Sequence, residues 1–213
     1  MYAFLCAVYH PAMQPDLCLT AFVLTGGRSS RMGTDKALLE FEGQTLLKKT
    51  VECARLVAAD VGIVGDASRF SSYGEVVEDI FKDCGPLGGI HAALRSSRTQ
   101  LNLVLAVDLP GLTPDFLRFL ARTASQEASA QAVVPEYDGR WQPLCAVYRR
   151  NFADAAEAAL KRNRFRIDAL FATVPTRKIT QAELELAGFG ADIFRNVNTM
   201  AEYQAAKTGK QSA

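Results

Sequence analysis

An α/β fold with three layers, in which helices cover both faces of a mostly parallel sheet, is predicted by three features of the sequence. Short apolar runs alternate with amphipathic segments along the 213-residue chain. Two of these runs, residues 17–24 and 101–107, are almost continuously apolar, as is typical of strands that are buried on both faces. Hydrophobic residues make up 49% of the chain, enough for one substantial core. Strands that alternate with helices favour right-handed crossovers and therefore parallel pairing.

The individual elements follow from hydrophobic periodicity and from the turn residues between apolar runs. Strands are predicted at residues 17–24, 61–64, 76–77, 101–107, 132–134, 144–148 and 174–179. Helices are predicted at residues 44–58, 88–94, 114–123, 151–160, 165–171 and 200–206. The helix at 114–123 has a well-marked start, because Thr113 suits the N-cap and Pro114 the first helical position. Residues 136–140 are expected to be a polar link between two strands.

A glycine-rich segment, residues 24–36, follows the first predicted strand with the sequence Leu-Thr-Gly-Gly-Arg-Ser-Ser-Arg-Met-Gly-Thr-Asp-Lys. Glycine lets backbone N–H groups approach phosphate oxygens closely, and Arg28, Arg31 and Lys36 add three cations. The segment has the spacing of neither a Walker A loop nor the dinucleotide fingerprint. The residues alone leave two interpretations open, a site for a nucleoside triphosphate and a surface turn with solvated charges.

A second candidate group, Asp108, lies at the end of the apolar run 101–107. Ligands of open parallel sheets bind beyond the carboxyl ends of the strands, so Asp108 and the glycine-rich segment are expected at the same sheet edge. A carboxylate there suits Mg²⁺ that is shared with substrate phosphates. The alternative is an aspartate that caps the following turn. A phosphate loop on the same edge favours the metal interpretation.

The motif Gly-Gly-x-Ser-x-Arg-Met-Gly-x-Asp-Lys at residues 26–36 resembles the signature of the molybdenum cofactor guanylyltransferases and their nucleotidyltransferase relatives. Further matches follow in the order of that family, and together they cover residues 17–206. They are Gly-Pro-Leu-Gly-Gly at 85–89, Val-Asp-Leu-Pro at 107–110, Gln-Pro-Leu-Cys-Ala at 142–146 and Asn-Val-Asn-Thr at 196–199. The resemblance implies a Rossmann-like nucleotidyltransferase fold. It also implies transfer of GMP from GTP to the phosphate of molybdenum-molybdopterin, which gives the guanine dinucleotide cofactor and pyrophosphate.

The resemblance and the charges of the loop assign roles on the nucleotide side. Lys36 and Arg31 would stabilise charge that builds up on the pyrophosphate, and Asp108 would hold Mg²⁺. The expected nucleotide-binding residues are Leu24, Thr25, Gly26, Gly27, Lys36, Asp79 and Asp108. By resemblance Asp79 would accept hydrogen bonds from the guanine edge, although an exposed acidic turn is an equal alternative.

On the acceptor side, the resemblance implies that Asn196 and Asn198 help to hold the pterin substrate. Their spacing places both amides on one face of an extended segment, and the alternative is a pair of turn-stabilising side chains. Gln142 is expected to line the acceptor pocket. Trp141 is equally suited to that pocket and to partial burial in the core.

Other functions are also compatible with the same motifs. A cytidylyltransferase for the same pterin cofactor, or another nucleotidyltransferase of this fold, is the nearest alternative, but Leu-x-Gly-Gly at 24–27 resembles the guanine-type form. Thr25 stands where Ala is usual, and Gly65 where some relatives carry an Asn that contacts the nucleotide. A nucleotide-binding regulator without turnover would be expected to lack Asp108 or Lys36, and the chain has both.

Composition and charge reduce the number of protein classes to which the chain can belong. A net charge of +1 gives no sign of a nucleic-acid surface, and no run approaches the ~20 apolar residues of a membrane helix. Five cysteines without C-x-x-C pairing argue against a zinc site and fit a reducing cytoplasm. His91 is expected at the start of a helix and partly exposed, so no histidine-based catalysis is predicted.

The expected organisation is one nucleotidyltransferase domain at residues 17–206, between a disordered tail at 1–16 and a frayed end at 207–213. Met13 is an alternative first residue. A monomer is expected. Its partners would be GTP and molybdenum-molybdopterin, with other proteins of molybdenum cofactor biosynthesis or acceptor enzymes as further candidates.

Overall fold

The structure, a computed structural model, describes residues 18–26 and 36–196. The predicted tails and the helix at 200–206 lie outside these ranges. The strands are β1 (Leu19–Leu24), β2 (Glu40–Phe41), β3 (Gln44–Thr45), β4 (Asp60–Val64), β5 (Glu75–Val77), β6 (Leu101–Ala106), β7 (Ala132–Tyr137), β8 (Arg140–Trp141), β9 (Cys145–Arg149) and β10 (Thr176–Ile179). The α-helices are α1 (Leu46–Arg55), α2 (Ala67–Phe70), α3 (Pro86–Ser96), α4 (Pro114–Gln126), α5 (Phe152–Leu160) and α6 (Gln181–Leu186).

The main sheet has the strand order β10-β7-β9-β6-β1-β4-β5, and β8 pairs with β7. β6, β1, β4 and β5 are parallel neighbours, which confirms the mostly parallel sheet. β9 runs antiparallel to β6 and to β7, and the short β8 runs antiparallel to β7. The chain between β7 and β9 is shorter than the roughly dozen residues that a parallel crossover needs, so β9 must turn back beside β7.

Helices cover both faces of the sheet, as predicted. Leu103 and Leu105 pack on the side of α1 and α4, in a cluster that includes Phe116 and Ala54. Val104 points to the other side, where α3 and α5 contribute the remaining apolar side chains. This alternation with a period of two is that of a strand with a core on each face. The sheet and the helices that pack on its two faces through these clusters form the three layers.

Strand register brings the ends of three neighbouring strands level with one another. Leu24 at the end of β1 pairs with Val64 at the end of β4 and with Ala106 at the end of β6. The residues that follow these three positions therefore share one edge of the sheet. This edge carries the candidate site.

Several predicted elements differ in detail from the observed ones. Thr113 caps α4 as predicted, with its side chain accepting from Phe116 N, but the helix continues to Gln126. The helix predicted at 165–171 is a short 3-10 helix, Asp168–Ala172. The link at 136–140 is instead part of a hairpin between β7 and β8. Helix α6 was not predicted, although Thr180 and Glu183 form a capping box at its start.

The prediction for His91 is wrong. The residue lies in the middle of α3 and is 2% exposed, because α3 begins at Pro86 and α5 packs against it. Within the described ranges, no helix has both the length and the apolar character needed to cross a membrane.

Candidate active site

The start of the glycine-rich segment is fixed to both neighbouring strands. The N–H of Val107 donates to the Leu24 carbonyl at 3.1 Å, which extends the pairing of β1 with β6. The N–H of Thr25 and its Oγ1 both donate to the Val64 carbonyl, at 3.1 and 3.0 Å. Gly26 has a φ of +97°, a conformation that side chains disfavour. Gly27 and Arg31 lie outside the described residues.

Lys36 and Asp108 meet at this edge of the sheet. Lys36 begins a short 3-10 helix, Lys36–Leu38, and Asp108 lies two residues beyond β6. The distance from Lys36 Nζ to Asp108 Oδ2 is 3.7 Å, and each side chain is 21% exposed. Burial raises the pKa of Asp108, while the positive charge of Lys36 opposes that increase. The carboxylate is thus shielded from water and faces a cation.

The Asp108 carboxylate is a suitable ligand for Mg²⁺ that is also bound by a substrate. Mg²⁺ typically takes one or two carboxylates and completes its octahedron with substrate phosphates and water. Among the described residues, no three His, Cys, Asp or Glu side chains are grouped so that they could enclose a metal ion.

Asp79 lies two residues beyond β5, at the far end of the same edge. Three strand spacings separate β5 from β6, or about 14 Å, so a ligand shared by Asp79 and Asp108 would contact them through different parts. Asp79 Oδ1 is buried and has no hydrogen-bond partner among the described residues. Burial raises the pKa of this carboxyl group. A buried acceptor without a donor is costly, which favours a ligand that supplies the donor.

Gln142 and its neighbours reach the edge from the antiparallel side. The Ala106 N–H donates to the Leu144 carbonyl at 2.7 Å, so the segment before β9 lies beside the end of β6. The Gln142 side chain donates through Nε2 to the Arg140 carbonyl at 3.4 Å. This contact keeps the amide next to the β8 hairpin.

A groove of about 360 Å³ lies beside the β8 hairpin, and it is lined by both chain neighbours of Gln142 but not by Gln142 itself. Its lining residues are Gly139, Arg140, Trp141, Pro143, Phe165, Ile167 and Asp168. Trp141 is partly buried, with its ring 4.9 Å from the Phe171 ring, and it also lines the groove. Arg140 and Phe165 were not singled out in the sequence. An aromatic residue between two arginines, at 164–166, was the signal in the sequence for Phe165, which the structure shows to be exposed.

Asn196 follows a 3-10 helix, Ala191–Phe194, and is exposed. The backbone of Asp192 packs so closely on Gly111 that a Cβ at residue 111 has no space. The Phe194 ring lies 5.5 Å from Phe116 and 5.3 Å from Tyr137. These contacts hold the segment before Asn196 against the loop that follows Asp108. Asn198 lies outside the described residues.

The fold and this edge define a nucleotidyltransferase. Residues 21–176 match the model of the MobA-like NTP transferase domain. The chain belongs to this family, and it is an enzyme that transfers nucleotidyl groups.

Relatives and solved structures agree with the family. A probable molybdenum cofactor guanylyltransferase of Pelotomaculum thermopropionicum is 30% identical over 190 residues, which cover 88% of this chain and 91% of the relative. A protein of the same name from Carboxydothermus hydrogenoformans is 30% identical over 187 residues, 87% of this chain and 93% of its own. The crystal structure of molybdopterin-guanine dinucleotide biosynthesis protein A from Archaeoglobus fulgidus is 26% identical, has a TM-score of 0.79, and matches over 91% of this chain and 100% of that one.

Proposed function

We propose that the protein transfers GMP from GTP to the terminal phosphate of molybdenum-molybdopterin, with release of pyrophosphate. The observation that carries this proposal is the contact between Lys36 and Asp108 beside the start of the glycine-rich segment. The names of the relatives, molybdenum cofactor guanylyltransferase, supply the acceptor. The product would be the guanine dinucleotide form of the cofactor.

The triphosphate would lie across the edge between β1 and β6. The backbone of Leu24, Thr25, Gly26 and Gly27 would bind phosphate oxygens, because N–H groups next to glycine can approach them without a side chain between. Lys36 would place its charge on the pyrophosphate side, and we assign the same role to Arg31. These charges act on the leaving group, where negative charge increases in the transition state.

Asp108 would hold Mg²⁺ together with the triphosphate. When bound, the ion supplies positive charge that offsets the crowded phosphate oxygens. Asp108 can take this part only as a carboxylate, and Lys36 favours that ionised form against the effect of burial. The fixed backbone after β6 keeps the carboxylate at the sheet edge without a rearrangement during the reaction.

Asp79 would select the base. Guanine presents two neighbouring donors, N1–H and the 2-amino group, to a carboxylate, whereas the corresponding edges of cytosine and adenine place an acceptor beside the amino donor. Asp79 Oδ1, buried and without a partner among the described residues, needs such a donor. This requirement favours GTP over CTP and ATP.

The acceptor would approach from the β8 and β9 side. We assign Gln142, Asn196 and Asn198 to its binding, with the groove beside Trp141 as the place for its ring system. Asn196 lies on the segment that packs against the loop after Asp108, so the acceptor phosphate can reach the nucleotide there. The acceptor is either free or delivered by another protein of molybdenum cofactor biosynthesis.

Thermal unfolding with GTP, CTP and ATP, each with Mg²⁺, tests the nucleotide assignment. A ligand at 100 times its Kd stabilises the folded state by about 2.7 kcal/mol, which is readily resolved. GTP should raise Tm well above the other two, and chelation of Mg²⁺ should reduce the increase. Equal shifts with GTP and CTP would remove the guanine assignment, and a larger shift with CTP would support the cytidylyltransferase alternative.

Release of pyrophosphate tests the reaction itself. We expect GTP to yield pyrophosphate at an appreciable rate only when molybdenum-molybdopterin is present, because no covalent enzyme intermediate is required. A rate that is the same without this acceptor would contradict the transfer reaction, even if GTP binds.

A further inference from the structure

The carbonyl of Val64 accepts two hydrogen bonds from a single residue. The N–H of Thr25 continues the parallel pairing of β1 with β4, and its Oγ1 adds a second donor to the same oxygen. Thr25 is 5% exposed, so this hydroxyl is withdrawn from bulk water. Thr25, the residue before Gly26, is therefore fixed by two hydrogen bonds to the last residue of β4.

Gly65, the next residue after Val64, is a glycine for reasons of space. Its φ does not lie in the left-handed region, so the backbone conformation does not require glycine. A Cβ at this position would overlap with Thr25 Oγ1 and would lie 3.1 and 3.2 Å from two atoms of the buried Phe70 ring. The Thr25 hydroxyl occupies the place that a side chain at residue 65 would need.

We propose that the Thr25 side chain is a positioning group for the nucleotide and forms a coupled pair with Gly65. The hydroxyl fills the space beside Gly65 and fixes the start of the phosphate-binding segment onto β4. From the sequence, Thr25 was expected to bind the nucleotide only as part of the glycine-rich loop. This inference rests on the proposed function to the extent that residues 24–27 bind the triphosphate.

The pair links the phosphate end of the site to the strand that leads toward Asp79. The N–H of Gly65 donates to the Val77 carbonyl at 3.1 Å, which continues the pairing of β4 with β5. A displacement of residue 65 would therefore move the start of the loop on one side and the approach to Asp79 on the other. We expect changes at either residue of the pair to affect nucleotide binding more than acceptor use.

Three substitutions at Thr25 separate the hydrogen bond from the volume of the side chain. Thr25→Ala removes both, Thr25→Val keeps the volume without the donor, and Thr25→Ser keeps the donor. Loss of a hydrogen bond in Ala and Val should raise the Kd for GTP with Mg²⁺ about three- to tenfold, while Ser should recover affinity relative to Ala. The KM for the acceptor should stay near the wild-type value in all three. A Val variant that binds GTP as the wild type does would overturn the role of the hydroxyl.

A double-substitution cycle tests the coupling. Gly65→Ala should weaken GTP binding strongly beside Thr25 and about fivefold less when Thr25 is already Ala, since the overlap with Oγ1 is then gone. Additive effects would overturn the coupled pair. If Gly65→Ala fails to fold beside Thr25, recovery of folding in the double variant gives the same answer.

Gly62→Ala is the matched control. Gly62 lies in β4, three residues before Gly65, and a Cβ there would come within 2.9 Å of the Phe22 ring in the core. This variant should lower Tm without a change in the Kd for GTP and without coupling to Thr25.

The assays also separate this inference from the proposed function. If CTP or ATP binds in place of GTP, the cycle is measured with that nucleotide, whereas a wild-type protein that binds no nucleotide would contradict both proposals.

Discussion

The two halves of the sheet position their candidate residues by different means. In the nucleotide half, β1, β4, β5 and β6, all neighbours are parallel, and Thr25, Asp79 and Asp108 follow directly or two residues after a strand. In the acceptor half, β7 to β10, Gln142 lies in a hairpin and Asn196 follows a segment that packs on Gly111.

The difference shows how much each half depends on tertiary contacts. Level ends of parallel strands bring residues from distant parts of the chain to one edge through backbone pairing alone. Backbone pairing with β6 and β7 also places Gln142, whereas packing of side chains such as Phe194 holds the segment before Asn196. We therefore expect substitutions in the nucleotide half to change GTP use, and substitutions in the acceptor half to change acceptor use.

The largest effect is expected at Asp108, where the two halves meet. Asp108→Asn keeps the shape of the side chain but removes the charge that would hold Mg²⁺. Turnover should fall about 10²–10³-fold, as when a group that stabilises the transition state is lost. Pyrophosphate release measures the rate, and thermal unfolding should show an intact fold. Activity within a few-fold of the wild type at saturating Mg²⁺ would identify Asp108 as a structural cap.

Asp79→Asn should show the base-recognition role of the nucleotide half. Loss of hydrogen bonds to a charged acceptor should raise the KM for GTP about 10- to 100-fold, while the KM for the acceptor changes little. Steady-state kinetics with each substrate varied in turn separates the two. Glu78→Gln is the matched control, because Glu78 is the exposed neighbour and should leave both KM values near wild type.

The same variant has a predicted effect on stability. Burial raises the pKa of Asp79, so the folded protein favours the protonated group more than the unfolded chain does. At neutral pH the ionised carboxylate therefore reduces stability, and this contribution becomes more favourable as the pH falls. Asp79→Asn should leave the Tm of the ligand-free protein at or above the wild-type value. A clearly lower Tm would mean that Asp79 stabilises the fold, and would contradict a role only in ligand binding.

The smallest effect is expected in the acceptor half. Asn196→Ala should raise the KM for molybdenum-molybdopterin roughly three- to tenfold through loss of amide hydrogen bonds, with the Kd for GTP unchanged. Asn198→Ala should act in the same way. Asn151→Ala is the control, because Asn151 is exposed and its side chain makes no cap hydrogen bond to α5. If Asn196→Ala weakened GTP instead, the division of the site into two halves would be wrong.

The elements that were predicted most accurately are those whose conformation depends on a single strand or loop. The runs that became β1 and β6 were predicted within a few residues, since strands buried on both faces are continuously apolar. Predictions from the sequence failed where packing against another element determines the burial or conformation of a residue. His91 is buried where α5 packs against α3 and the Phe81 ring lies 5.1 Å from the imidazole, and the short 3-10 helix at Asp168–Ala172 replaced a predicted helix beside the groove.

The sequence by itself determined the fold class, the order of the main elements and the residues at the ends of the parallel strands, because periodicity and turn residues are local properties. Only the tertiary structure decided which of these residues meet. The contact between Lys36 and Asp108, the buried oxygen of Asp79 without a partner among the described residues, and the hydroxyl that fills the space beside Gly65 all depend on strand order. Strand order is a property of the packed sheet, since the same strands in another order would bring different ends together.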